Sequence, residues 1–177
     1  MNRVHGSRAG FTLVELLVVM AVVAVVASLA MAGYRRARVH GNEVAALAAL
    51  AAINEAQAAF AHVCGNGRFA PTLAALGKPM PSTGHPFLSP DLTQADPVSK
   101  SGYRFVLSGS AVEGDTPACT GDTPVSGYQV TADPMIPGAT GLRFFGSNSD
   151  RVVYEDTATF AGNMPKSGPP SHGGEIR

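Results

Sequence analysis

The chain of 177 residues has no tryptophan, only two cysteines, and charged residues at only 15% against 45% hydrophobic ones. So little charge with so much apolar content excludes a chain held unfolded by solvation. Neither sign is in excess. Lys plus Arg and Asp plus Glu are 13 each, so no net field argues for nucleic acid or an acidic substrate. Proline is missing from Phe11 to Val63, where glycine occurs only as Gly33 and Gly41; all 13 prolines and 16 of the 20 glycines follow Cys64. The first part is therefore built for continuous helix, and the second is cut into turns and short strands. The motifs Gly-x-Ser-x-Gly, His-Glu-x-x-His, the phosphate-binding P-loop and Cys-x-x-Cys are all absent, which leaves no recognisable catalytic constellation.

What is present begins at the N-terminus. Residues 1–10 carry Arg3, His5 and Arg8, no acid, and end in Ala9-Gly10. An apolar run of 23 residues follows from Phe11 to Gly33, interrupted only by Thr12, Glu15 and Ser28. A helix needs roughly 20 such residues to cross the hydrocarbon. A secretory signal peptide fits poorly, because Tyr34-Arg35-Arg36-Ala37-Arg38 offers no small-x-small cleavage site and the run is long for a signal core. A plain anchor explains the length and leaves Glu15 without a reason. A carboxylate inside a membrane segment costs about 2.5–3.5 kcal/mol on insertion scales and marks function by default.

The stretch Gly10-Phe11-Thr12-Leu13-Val14-Glu15-Leu16-Leu17-Val18-Val19 resembles the processing motif of type IV pilins and pseudopilins. In that family a short basic leader ends in Gly, a membrane peptidase cuts after it, and the new N-terminal residue is N-methylated. The resemblance implies a cut between Gly10 and Phe11, methylation of Phe11, and an assembly role for Glu15, the fifth mature residue. Tyr34 matches a tyrosine common at the end of the family's membrane segment. Ala32-Gly33 stands where many members have a bending proline, so any kink there would rest on Gly33.

Beyond the apolar run, Asn42 to Val63 is rich in alanine and free of breakers, so helix should continue. Leu47, Leu50, Ile53, Phe60 and Val63 form an apolar stripe, and Glu43, Asn54, Glu55 and Gln57 supply a polar side. Cys64-Gly65-Asn66-Gly67 ends the helix. Pro71 to Gly77 suits a two-turn helix, and the prolines from Pro79 to Pro97 forbid long elements. Four strands follow in the pattern. Tyr103, Phe105 and Leu107 alternate with Arg104, Val106 and Ser108, and Tyr128, Val130 and Ala132 alternate with Gln129 and Thr131. Residues 142–145 and 151–154 flank a hairpin turn expected at Gly146–Asp150. The expected fold is α+β, a long N-terminal helix packed on a small antiparallel β-meander, which is also the layout of small pilins. The expected divisions are a leader (1–10), a membrane and assembly helix (11–34), an amphipathic continuation (35–63), a globular region with the meander (64–161) and a flexible tail (162–177).

A globular domain exported from the cytosol favours a Cys64–Cys119 disulfide, with two separately buried thiols as the alternative. His62-x-Cys64 lacks the second pair that a zinc site needs. His40, His85 and His172 are expected to be solvated. Asp133, Asp150, Glu155 and Asp156 form no recognisable calcium loop, and solvated acids are the expectation. No cofactor, metal or nucleic-acid partner is expected; Arg35, Arg36 and Arg38 read as a membrane edge meeting headgroups. The resemblance implies a structural filament subunit rather than an enzyme. Its implied partners are prepilin peptidase, membrane lipid, the inner-membrane assembly machinery and identical or related subunits. It would lie in the bacterial inner membrane first and in an extracellular or periplasmic filament afterwards. A type IV pilus subunit is favoured by the lack of a calcium pattern. A type II secretion pseudopilin and a membrane-tethered binding module or enzyme are the alternatives.

Overall fold

The structure is a computed structural model that describes residues 10–111 and 116–176. Most of the leader, residues 1–9 with Arg3, His5 and Arg8, lies outside the described residues. The chain divides into two units, one ending at Ala37 and the other beginning at Arg38.

The longest element is helix α1, Leu13–Val63. In the first unit its large apolar side chains are all exposed, from Leu13 at 80% to Met31 at 57%. None of the described residues of that unit covers them. In the second unit the same helix carries a one-sided seam. Glu43, Ala46, Leu50, Ile53, Gln57, Phe60 and Cys64 alternate in steps of three and four, and all are 5% exposed or less. That spacing keeps one face of a 3.6-residue helix against the sheet.

Three members of the expected polar side lie on this buried face. Glu43, Asn54 and Gln57 are buried, and only Glu55 is exposed. Each is buried because it finds partners. Gln57 accepts from the Ala70 N–H at 2.8 Å and donates to the Ala70 carbonyl at 3.0 Å, completing a strand-like pair with the loop after the helix. Asn54 donates to Ser147 Oγ and accepts from the Tyr128 hydroxyl at 2.9 Å. Glu43 accepts from the Leu142 N–H at 2.8 Å and pairs two-pronged with the Arg143 guanidinium at 2.9 and 3.0 Å. Arg143 in turn donates to Glu155 at 2.5 Å and lies over the Phe145 ring. Burial alone would raise the Glu43 pKa, but the Leu142 N–H and the Arg143 charge outweigh it, so the net shift is downward. Val63, expected on the apolar stripe, is exposed because Cys64 takes the seam position at the helix end.

The sheet is an antiparallel meander of six strands in sequence order: β1 Val98–Lys100, β2 Tyr103–Ala111, β3 Val125–Pro134, β4 Phe144–Asn148, β5 Val153–Asp156 and β6 Gly174–Glu175. Helix α2 is the single turn Leu73–Leu76, capped by Thr72 and closed by Gly77. Tyr103, Phe105, Leu107, Tyr128, Val130, Ala132 and Phe145 are buried in one cluster with the seam of α1. Each large side chain so buried contributes about 1.5–3 kcal/mol.

The opposite face of the sheet explains two departures from expectation. Gly146, expected in a turn, lies inside β4. A Cβ there would meet Phe160 at 3.1 Å and Met164 at 3.0 Å, so glycine lets those side chains approach the strand. The turn comes later, closed by the Arg151 N–H on the Asn148 carbonyl at 2.8 Å, with Arg151 at φ 64. The segment expected as a flexible tail supplies the buried Met164 and strand β6, and its Lys166 carbonyl accepts from Ser149 N–H at 3.0 Å. It is held because Phe160 and Met164, with Tyr154, form the apolar cover of this second face.

Cys64 and Cys119 are joined in a disulfide with their Cα atoms 5.0 Å apart, 55 residues apart in sequence. It ties the end of α1 to the β2–β3 connection, where the Cys119 N–H also donates to the Cys64 carbonyl. A closed loop of that length is worth roughly 3–5 kcal/mol in the chain-entropy model. Replacing both cysteines with serine is expected to lower the melting temperature by about 10–20 °C for a domain of this size. Near-UV circular dichroism of the tyrosines in detergent would check this; a melting temperature unchanged from wild type would contradict it.

Candidate processing and assembly site

Gly10 and Phe11 form an exposed lead into α1, with Phe11 83% exposed and, among the described residues, no neighbour within 4 Å of where a Gly10 Cβ would stand. An exposed, open backbone is what a peptidase needs at its scissile bond. Helix α1 starts two residues later. Its first turn is closed by a reciprocal pair: the Thr12 N–H donates to Glu15 Oε2 at 3.0 Å, and the Glu15 N–H donates to Thr12 Oγ1 at 3.2 Å. The Thr12 hydroxyl also donates to Glu15 Oε2 at 2.9 Å. This is a capping box, in which donors left unpaired at a helix start are satisfied by side chains. The acid also sits where the helix dipole favours negative charge.

Glu15 is thus placed beside the backbone N–H of the residue that follows Phe11. Thr12 was absent from the site residues expected from sequence, although Thr12-x-x-Glu15 ahead of an apolar run is a readable cap signature. Gly10, Phe11 and Glu15 come together at this helix start, whereas Cys64 and Cys119 belong to the other unit. From Leu13 the helix is long and apolar enough to cross a membrane.

Residues 6–31 match the family described as the prokaryotic N-terminal methylation motif. The chain carries the type IV pilin and pseudopilin leader signature. That signature is the substrate signal for prepilin peptidase, and together with the apolar helix it fits a precursor anchored in the inner membrane. The α+β layout is consistent with a pilin-like fold. No curated protein and no solved structure matches the chain.

The acids weighed for calcium each have a separate engagement. Asp133 accepts from the Thr159 hydroxyl at 2.8 Å, Asp150 from the Gly168 N–H at 2.5 Å, and Glu155 pairs with Arg143. Asp156 bonds His172 at 2.7 Å, and the His172 side chain holds the Asp156 carboxyl below its usual pKa range. Burial pushes the Asp133 carboxyl up instead. His172, expected to be solvated, is part-buried and stacked on Phe160 with ring centroids 4.9 Å apart, because the segment bearing it covers the sheet.

Proposed function

We propose that the chain is a structural subunit of a type IV pilus-like filament, stored in the inner membrane, cut after Gly10, methylated on Phe11 and then packed helix to helix. The observation that carries this reading is the exposed apolar helix headed by the exposed Gly10–Phe11 junction and by Glu15 in the capping box. Such a helix is stable only in lipid or among other helices. The subunit has no catalytic role in this reading. Its partners are prepilin peptidase, the inner-membrane assembly machinery and identical or related subunits, and it ends in an extracellular or periplasmic filament. The separate engagement of Asp133, Asp150, Glu155 and Asp156 favours the pilus over a calcium-holding secretion pseudopilin.

Cleavage has an electrostatic consequence. It removes Arg3 and Arg8, so Lys plus Arg falls from 13 to 11 against 13 acids, and formal side-chain charge moves from 0 to −2. The basic leader holds the N-terminus in the cytoplasm until the cut, which then frees a positive amine on Phe11. Gly10→Leu is expected to leave full-length, unassembled protein in the membrane. Mass spectrometry of the membrane fraction tests this, and normal shortening of the variant would sink the processing assignment.

A further inference from the structure

The segment that follows β5 is held to the second face of the sheet along its whole length. At its far end the His172 ring bonds Asp156 at 2.7 Å and stacks on Phe160, and β6 pairs with β5. In the middle, Asn148 Nδ2 donates to the Gly168 carbonyl at 2.8 Å. At its near end the Thr159 hydroxyl donates to Asp133 Oδ2 at 2.8 Å. The Thr159 oxygen also accepts from the Ala161 N–H at 3.0 Å, closing the turn that carries Phe160 over Gly146.

The other Asp133 oxygen is different. Among the described residues, Oδ1 is the one buried side-chain polar atom without a hydrogen-bond partner. An ionised oxygen left in that state costs more than a neutral one. The neighbouring elements do not relieve it. Arg104, opposite on β2, is exposed and acts on it only through space. Strand β4, Phe144–Asn148, brings no charge, and the segment brings the Thr159 hydroxyl. Asp156 on β5 and Glu175 on β6 lie against His172 and opposite Tyr154, and Lys166 reaches Ser110 instead. A proton is the ligand that suits this place, because the neutral acid keeps its bond to Thr159 and leaves only a carbonyl oxygen unpaired. We propose that Asp133 is a proton-binding site and that its proton clasps residues 157–176 to the sheet. When the proton leaves, the charged Oδ1 favours states in which water reaches it, and the segment opens more often.

Burial holds the Asp133 carboxyl above its ordinary 3.8, with Thr159 and Arg104 opposing. The resulting stability is full below 3.8 and is lost as pH rises through the folded value. Asp156 has the opposite sign. His172 holds its carboxyl down, so its contribution is lost as pH falls below 3.8. The segment is therefore held most firmly in mild acid.

Hydrogen exchange of the full-length protein in detergent, from about pH 4 to pH 8, reads this opening in peptides covering residues 160–176. Comparing Asp133→Asn with wild type at each pH cancels the intrinsic pH dependence of exchange and the contribution of His172. The protection ratio, variant over wild type, is expected to be near one at the acid end and to rise severalfold by the alkaline end. Each unit between the folded and ordinary pKa is worth about tenfold in that ratio. Asp133→Val, which removes both oxygens, should give a ratio that rises in the same way from a different starting value. A ratio that stays flat across pH in either variant overturns the proposal, whatever its size. A second measurement needs no variant: the Asp133 carboxyl carbon, followed by carbon-13 NMR in the wild type, should titrate above 3.8. Titration at or below that value would overturn the proposal as well.

Discussion

Glu15→Val is expected to enter the membrane and be cut normally, and then to be incorporated into filaments poorly. The proposed cleavage would place a positive amine on Phe11, four residues before the carboxylate. Within one chain, Glu15 Oε2 is already occupied by the Thr12 N–H and hydroxyl at the helix start. In the proposed filament, a neighbouring subunit offset along the axis would bring its own Phe11 amine to this carboxylate. Both charges are costly alone in an apolar surround, so burial favours the offset that pairs them. The pair then sets axial register, as a single buried polar residue does in a coiled coil. Losing even 1.4 kcal/mol of such preference costs about tenfold in an equilibrium, so filament yield per processed, membrane-resident subunit should fall by at least about that factor. Glu15→Asp should be intermediate, because the acid remains with a reach one methylene shorter. Wild-type incorporation of Glu15→Val would make the charge incidental.

Arg143→Ala is expected to destabilise the globular unit strongly. It removes the cation from a carboxylate that is 5% exposed and leaves Glu43 with the Leu142 and Arg143 backbone donors alone. Breaking a buried pair this way costs about 3–5 kcal/mol. The remaining backbone donors and the partial exposure of the Arg143 side chain hold the loss near the lower end. Glu43→Gln should cost less, since its amide oxygen still accepts from Leu142. The pH dependence has a definite sign. The folded pKa of Glu43 lies below its usual value of 4.5, so its contribution is present above pH 4.5 and is lost as pH falls through the folded pKa. Urea midpoints of wild type and Glu43→Gln should therefore converge as pH drops below about 4.5. A constant gap down to pH 3 would contradict the pairing.

The course of α1 was legible because its signals are local: no proline from Phe11 to Val63, an alanine-rich stretch, and Leu50, Ile53 and Phe60 on one face. The burial of Glu43, Asn54 and Gln57 was not. Their partners are Arg143, Tyr128, Ser147 and Ala70, 13 to 100 residues away, and only the folded chain decides that a polar side chain will be satisfied inside. Gly146 was misread for the same reason. Glycine signals a turn locally, but here it makes room for Phe160 and Met164. Strands β1 and β6 span three and two residues, too short to carry an alternating pattern. At the N-terminus the opposite holds. The Gly10–Phe11 junction, the acid and the apolar run are all local, and even the Thr12 cap is written in four consecutive residues.

The central claim is that this chain is cut after Gly10 and built into a filament through its N-terminal helix. The most direct measurement is the intact mass and N-terminal sequence of the protein recovered from sheared surface filaments. The recovered chain is expected to begin at Phe11, to lack residues 1–10 and to carry one added methyl group on its terminal amine. Filaments containing a chain that still begins at Met1, or filaments that form normally without this protein in them, would contradict it.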